Sequence, residues 1–354
     1  SLPLSPQPTV PAAPRHIPTS VLRRERDKMV EQTRDALRVH HLTLAELEKK
    51  AQEAVADYAE EKAFERHLSG FLKDLQAKRT LEKQKTVEAL EAKLHEAQKK
   101  LAELKQMEAS LQGAKAKDLN PLFFDDFEQI GPQRGSNPGG LFQDKTTGDQ
   151  WYIKFPQSTE HARNEALAAD LYQQAGVKVP EVKLVYDRGR VGVASKIIDG
   201  LEQNGAMLAQ AKGAYDGFAV DAWLANWDVV GLNFDNMLIK NGMAYRVDTG
   251  GALLFRAQGM PKGAAFGNIV EEWNTFRTVS NFTTTQVFKD ISEKKLIASA
   301  NKVLKISDKA IRDTVRLYGF DTDLATLLIE RKRWIKAEVA KLKPKARPRT
   351  VANA

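Results

Sequence analysis

The chain has 354 residues, too many for one ordinary domain and few for three. Hydrophobic residues make up 42% and charged residues 28%, which excludes wholesale disorder. Cys is absent, so disulfide frameworks, thiol nucleophiles and thiolate metal sites are excluded, and a net charge of +8 is small enough that its placement matters more than its size. No apolar run nears the roughly 20 residues that cross a bilayer. The start, Ser1-Leu2-Pro3-Leu4-Ser5-Pro6, lacks the charged-then-apolar order of a secretory signal. Without Met, it reads as the cut edge of a longer polypeptide. A cytoplasmic protein is expected, or one delivered into a host cytoplasm as part of an effector or phage-type polypeptide.

Residues 1–20 hold six prolines and read as an extended linker. Residues 21–117 turn to Ala, Glu, Lys, Leu and Gln, a helical composition with no Pro. Thr43-Leu44-Ala45-Glu46 is a capping-box pattern, with Leu42 and Leu47 as a hydrophobic staple. It predicts one helix ending near His41 and another starting at Thr43. Val87, Leu90, Leu94, Ala97, Leu101, Leu104 and Leu111 step by three and four, with Glu108 breaking the series. That stripe is the seam of a coiled coil or of a helical hairpin, and the first option makes a homo-oligomer through the arm.

Residues 118–340 change character. Gly135 to Gly140 is a glycine-rich loop before a hairpin, Leu141–Asp144 with Gln150–Phe155, around Thr147-Gly148-Asp149. Ser158 or Thr159 caps a helix to about Ala175, closed by Gly176. Val182–Tyr186 and Val191–Ile198 form a second hairpin. Met237–Ile239 and Met243–Val247 form a third around Asn241-Gly242, and the rest from about Pro261 is helical. No βαβ alternation occurs, so the fold class is α+β: a small antiparallel β lobe joined to a helical lobe, preceded by the helical arm. Residues 341–354 form a basic tail, expected to be disordered. Between Arg331 and Arg349, Glu338 is the only acid. The tail reads as a solubilising end or as an electrostatic contact with anionic lipid or nucleic acid.

Phosphoryl transfer from a nucleotide needs amides and a cation around the phosphates, a chelated metal, and a base for the acceptor. Candidates for each follow in chain order. Gly135, Ser136, Gly139 and Gly140 suit close backbone approach to phosphate, or an ordinary loop. Lys154 lies in the strand Trp151–Phe155, on the face of Tyr152 and opposite Trp151, Ile153 and Phe155. Alone it reads equally as a snorkelling edge residue. Eleven residues on, Glu165 sits early in an apolar helix. A strand Lys pinned by a helix Glu aims an ammonium at phosphate oxygens. Asp228, at a helix exit, is placed to orient a hydroxyl and take its proton. Asn236, before the Met237–Ile239 strand, and Asp248, before Gly250-Gly251, are oxygen ligands for Mg²⁺; each also reads as a turn residue.

The order and spacing of these motifs over about residues 120–340 resemble the atypical branch of the protein-kinase-like superfamily. The likeness is to type II phosphatidylinositol 4-kinases, actin-fragmin kinase and HipA-type bacterial kinases. The resemblance implies a two-lobed fold with ATP and Mg²⁺ as cofactors. It makes Lys154 and Glu165 the nucleotide-binding pair, and Lys196-Ile197-Ile198 the segment crossing between lobes beside the adenine. Asp228 becomes the catalytic aspartate, and Asn236 and Asp248 the metal ligands. Asp228 and Asn236 are eight residues apart, where the family has five. Asn233 has the usual offset, and Asp235 is the weaker candidate base. No His-Arg-Asp or Ala-Pro-Glu triplet occurs, which argues against activation-loop control. The expected activity is a Mg-ATP-dependent phosphotransferase with a protein Ser/Thr substrate. The alternatives are AMP transfer, lipid phosphorylation, or a non-catalytic pseudokinase serving as an assembly module.

Overall fold

The computed structural model describes residues 19–111, 122–187, 190–280 and 282–342. The Pro-rich linker through residue 18, the basic run after residue 342, the onset of the second unit near Asp118 and the Arg188-Gly189 turn lie outside the described residues. Within them the expected α+β architecture is present. A helical arm precedes a sheet lobe and a helical lobe, and no described helix is long and apolar enough to cross a membrane.

The arm is a hairpin of α1 (Thr19–Glu65) and α2 (Gly70–Leu111). The break expected at residues 41–43 does not occur; the chain turns at residues 66–69, with Gly70 at φ +61°. Thr43 does not cap. Its Oγ1 donates to Val39 O at 3.1 Å, a bond internal to a continuing helix. Leu42, the expected staple, is 70% exposed, while Leu44 is fully buried. Tertiary packing overrides the capping pattern: Leu37, Leu44 and Ala51 of α1 interlock with Leu94 and Leu101 of α2. Leu90, Leu94, Ala97, Leu101 and Leu104 of the heptad stripe therefore pack within the chain's own hairpin.

The sheet lobe has six strands: β1 (Leu122–Phe123), β2 (Phe127–Gly131), β3 (Gly139–Asp144), β4 (Gln150–Lys154), β5 (Val182–Asp187) and β6 (Arg190–Lys196). Their order is β1-β5-β6-β4-β3-β2. Every pair is antiparallel except β1 with β5, a parallel edge that sequence reading missed because β1 has only two residues. Trp151 and Ile153 alternate into the sheet core with Phe127, Phe142 and Phe155. Helix α3 (Thr159–Gln174) starts at the N-cap Ser158, whose side chain accepts from His161 N. It ends before Gly176 at φ +75°, a closing glycine as expected.

The helical lobe comprises α4 (Gly205–Gln210), α5 (Phe218–Trp223), the hairpin β7 (Met237–Lys240) and β8 (Met243–Arg246), α6 (Glu272–Thr278), α7 (Thr283–Phe288), α8 (Glu293–Leu304), α9 (Asp308–Leu317) and α10 (Thr322–Leu342). Asn241 and Gly242 both have positive φ, as a two-residue hairpin turn requires. Trp223, Phe218, Trp273 and Phe288 centre its core. Arg331 is not part of a basic surface. It is wholly buried, donates to Ala222 O and Trp223 O at the end of α5, and pairs with Glu272 at 2.9 Å.

Candidate active site

A cleft of about 490 Å³ lies between the lobes, within the range of small-molecule sites. Gly135, Ser136 and Lys154 line it from the sheet lobe, and Asp228, Asn236 and Asp248 from the helical lobe. Lys196 and Ile198 line it along the crossing segment. That segment is anchored at both ends. Lys196 N donates to Glu181 O at 2.8 Å, and Leu201 exchanges two 2.9 Å bonds with Ile239 of β7. The Lys196 ammonium lies over the Trp151 ring and 3.6 Å from Asp149.

Strand alternation delivers Lys154 to the cleft face. Its Nζ lies 3.0 Å from Glu165 Oε1 and 3.1 Å from Asp248 Oδ2, with only 12% of the side chain exposed. Burial by itself depresses an ammonium's pKa, but the Asp248 and Glu165 carboxylates outweigh it and hold Lys154 above the ordinary lysine range. Burial raises Glu165, helped by the Asp248 charge and opposed by Lys154. For Asp248 burial is again opposed by Lys154 and by the Gly250 N–H, which donates to Oδ1 at 2.8 Å, and the net effect is downward. The triad is thus a fixed cation flanked by two carboxyl groups.

Asp228 follows α5 on a tight turn. Of the two asparagines that spacing left open, Asn236 is the one that reaches it. Asn236 Nδ2 donates to Asp228 O at 2.8 Å and to Asp228 Oδ2 at 2.9 Å. Asn233 and Asp235 line the same cleft but are exposed. The eight-residue spacing is accommodated by Gly231 at φ +80°, where a Cβ would meet Asp235 Oδ1 at 2.2 Å, and by Phe234 at φ +59°. Burial pushes the Asp228 carboxyl up to about 6, with the Asp248 charge adding to it and the Asn236 bond opposing.

The glycine-rich segment divides. Gly135 and Ser136 border the cleft. Gly139 and Gly140 are not among its lining residues. They open β3, where a Cβ on Gly139 would meet Ile153 O at 2.2 Å and one on Gly140 would meet Gly131 O at 2.8 Å. Their smallness serves strand pairing. The loop itself is pinned by Tyr152, whose hydroxyl accepts from Arg134 N at 2.7 Å and donates to Arg134 O.

Several site-building residues escaped the sequence reading. His161 and Asn164 share one face of α3 with the expected Glu165, and the three stitch the helix to residues 248–254. His161 Nε2 meets Gly250 O at 2.8 Å, Asn164 Nδ2 donates to Ala252 O at 2.9 Å, and Thr249 Oγ1 donates to Glu165 O at 2.9 Å. The signal was three polar residues at helical spacing inside an otherwise apolar helix. Lys262 carried no such signal. It is 4% exposed, and its Nζ donates to Ala225 O at 2.5 Å and to Gly251 O at 2.7 Å beneath the Trp227 ring. Burial pushes its pKa down to about 6. It ties the Asp228 turn to the segment after Asp248. Lys262→Met leaves the two carbonyls only the shared Trp227 N–H as a donor, and is expected to cost about 1–3 kcal/mol in urea unfolding.

No protein-family profile matches the chain, and no curated protein matches it in sequence. Among solved structures it is similar to a Helicobacter pylori proinflammatory kinase, CtkA, at 15% identity, over 63% of this chain and 97% of that one, with a TM-score of 0.44.

Proposed function

We propose that the chain is an ATP-dependent phosphotransferase whose acceptor is a protein hydroxyl. The observation that carries this reading is the convergence on one cleft of the Lys154–Glu165–Asp248 ion triad and the Asp228–Asn236 pair. Lys154, held charged, offers its ammonium to phosphate oxygens. Asn236 spends its amide N–H on Asp228 and keeps its carbonyl oxygen as an acceptor. With the Asp248 carboxylate this makes a hard-oxygen donor pair of the kind Mg²⁺ accepts beside phosphate and water. Held by Asn236 and Asp248, Mg²⁺ would neutralise phosphate charge. Asn236 also orients Asp228, which accepts the proton of the acceptor hydroxyl. Gly135 and Ser136 would border the phosphates, and Ile198 would lie beside the nucleotide's base.

The test is incubation with ATP labelled at the γ-phosphate, Mg²⁺ and candidate proteins. Transfer of γ-label, lost in Asp228→Ala, is expected. Label arriving only from the α-phosphate makes the enzyme an AMP transferase, and label reaching lipid alone reassigns the acceptor. Thermal stabilisation by ATP without any transfer would make the chain a pseudokinase.

The raised Asp228 pKa predicts the pH profile. A base must be ionised, so kcat/KM is expected to climb tenfold per pH unit below about 6 and to level off above it. A profile still level at pH 5 would remove Asp228 from the role.

A further inference from the structure

The arm does more than precede the lobes. On α1, Leu37, Leu44 and Ala51 form the seven-residue row that faces α2. A second row at the same period, Arg34, His41 and Glu48, faces the rest of the chain. Arg163 Nη2 of α3 donates to Glu48 Oε1 at 2.8 Å, with 15% and 7% of the two side chains exposed. The His41 ring packs on Gly319, 3.2 Å from where a Cβ would stand. Arg34 Nη2 reaches Asp313 Oδ1 at 3.4 Å. On α2, Glu108 interrupts the apolar heptad because it also faces outward from the hairpin: Arg316 Nη2 of α9 donates to it at 2.8 Å and Arg34 Nε at 3.1 Å.

These contacts fall on both lobes. Arg163 belongs to the sheet lobe through α3, while Asp313 and Arg316 belong to the helical lobe through α9. Arg163 lies two residues from both His161 and Glu165, roughly 200° around the helix from each. The face that meets the arm is thus opposite the face that meets Lys154 and residues 248–254. Helix α3 is held between the two.

Resting on the phosphotransfer reading, we propose that the arm is an interlobe clamp, and that Glu48 is a positioning residue which acts through Arg163 to hold α3 where Glu165 reaches Lys154. The arm then belongs to the active unit, and the lobes without it lose the rotation of α3 that completes the triad.

Glu48→Gln in the full chain tests this, with Glu48→Asp as the substitute should the first not fold. Two readings need no activity: hydrogen exchange along α3, and mass-spectrometric labelling of Lys154 by an amine-reactive ester. Labelling is expected to rise about 5- to 10-fold, the low end of couplings between distant sites. Exchange along α3 is expected to quicken, and kcat to fall by a similar factor with acceptor KM unchanged. The swapped pair Glu48→Arg with Arg163→Glu is expected to restore all three. Lys154 labelling and α3 exchange equal to the unsubstituted chain would overturn the clamp, as would a lost kcat with unchanged labelling. If the unsubstituted chain transfers no phosphate, the phosphotransfer reading fails, while labelling and exchange still decide the clamp.

Discussion

Asp228→Asn is expected to abolish phosphate transfer while making the protein harder to melt. The catalytic half of this expectation follows from position. Asp228 lies in the cleft with its backbone carbonyl and one carboxylate oxygen both held by Asn236, and removal of a positioned base costs roughly 10²- to 10⁴-fold in rate. The stability half follows from the sign of its pKa shift. Burial and the neighbouring Asp248 charge raise the folded pKa from 3.8 to about 6, so the ionised form is the one the fold disfavours. Below about pH 4 the group is protonated in both folded and unfolded chains. Between about 4 and 6 the unfolded chain releases the proton more readily than the folded one, and stability drains away. Above 6 the penalty is constant. Asn carries no charge and escapes it, and its amide oxygen keeps an acceptor for Asn236. A melting temperature about 2–4 °C higher at pH 8, with no gain at pH 4, is the expected calorimetric result. A variant less stable at pH 8 would show that Asn236 and the turn depend on the Asp228 charge rather than tolerate it.

The parts of this site that sequence made legible are those governed by local rules. Period-two alternation sent Lys154 to the face opposite Trp151 and Ile153. Ser158 and Gly176 bounded α3 by capping chemistry. Asn241-Gly242 fixed the last hairpin. What stayed hidden depends on contacts distant in the chain. The capping box at Thr43 was a true local signal, and it lost because Leu37 and Leu44 bury against Leu94 and Leu101. Two residues of β1 are too few for any period, and they form a strand only because β5 lies beside them. Arg331 looked like the start of a basic tail, since charge runs say nothing of which member turns inward to meet Glu272. Glu108 was visible as a flaw in a heptad. A flaw of that kind marks a residue with a partner beyond the helix pair, here Arg316 in addition to Arg34 of α1.

Arg246→Met is expected to be the most destabilising single substitution away from the cleft. Arg246 and Asp221 have side chains 0% exposed. The guanidinium meets the carboxylate through two 2.8 Å bonds, from Nε to Oδ1 and from Nη2 to Oδ2. It also donates to Gly213 O at 3.1 Å and to Ala214 O at 2.9 Å. Gly217 makes room for it, since a Cβ there would stand 2.3 Å from Arg246 Nη2. Tyr172 donates its hydroxyl to Asp221 Oδ1 at 2.8 Å and accepts from Asn226 Nδ2 at 3.1 Å, so the network ends two residues before Asp228. At its other end Arg246 closes β8, two residues before Asp248. Methionine fills the volume but leaves Asp221 as a buried, unpaired charge. Breaking such a pair costs about 3–5 kcal/mol, a large share of the roughly 5–15 kcal/mol that holds a domain folded. Urea unfolding is expected to show the midpoint falling with the slope unchanged. Adding Asp221→Leu to Arg246→Met removes the stranded charge, so the double variant is expected to be more stable than Arg246→Met alone. If it is less stable instead, the cost lies in lost packing and backbone contacts, not in the carboxylate. In either case the surviving folded fraction should transfer phosphate poorly. The network fixes the spacing between the Asp228 turn and the end of β8, and with it the distance between Asp228 and Asp248.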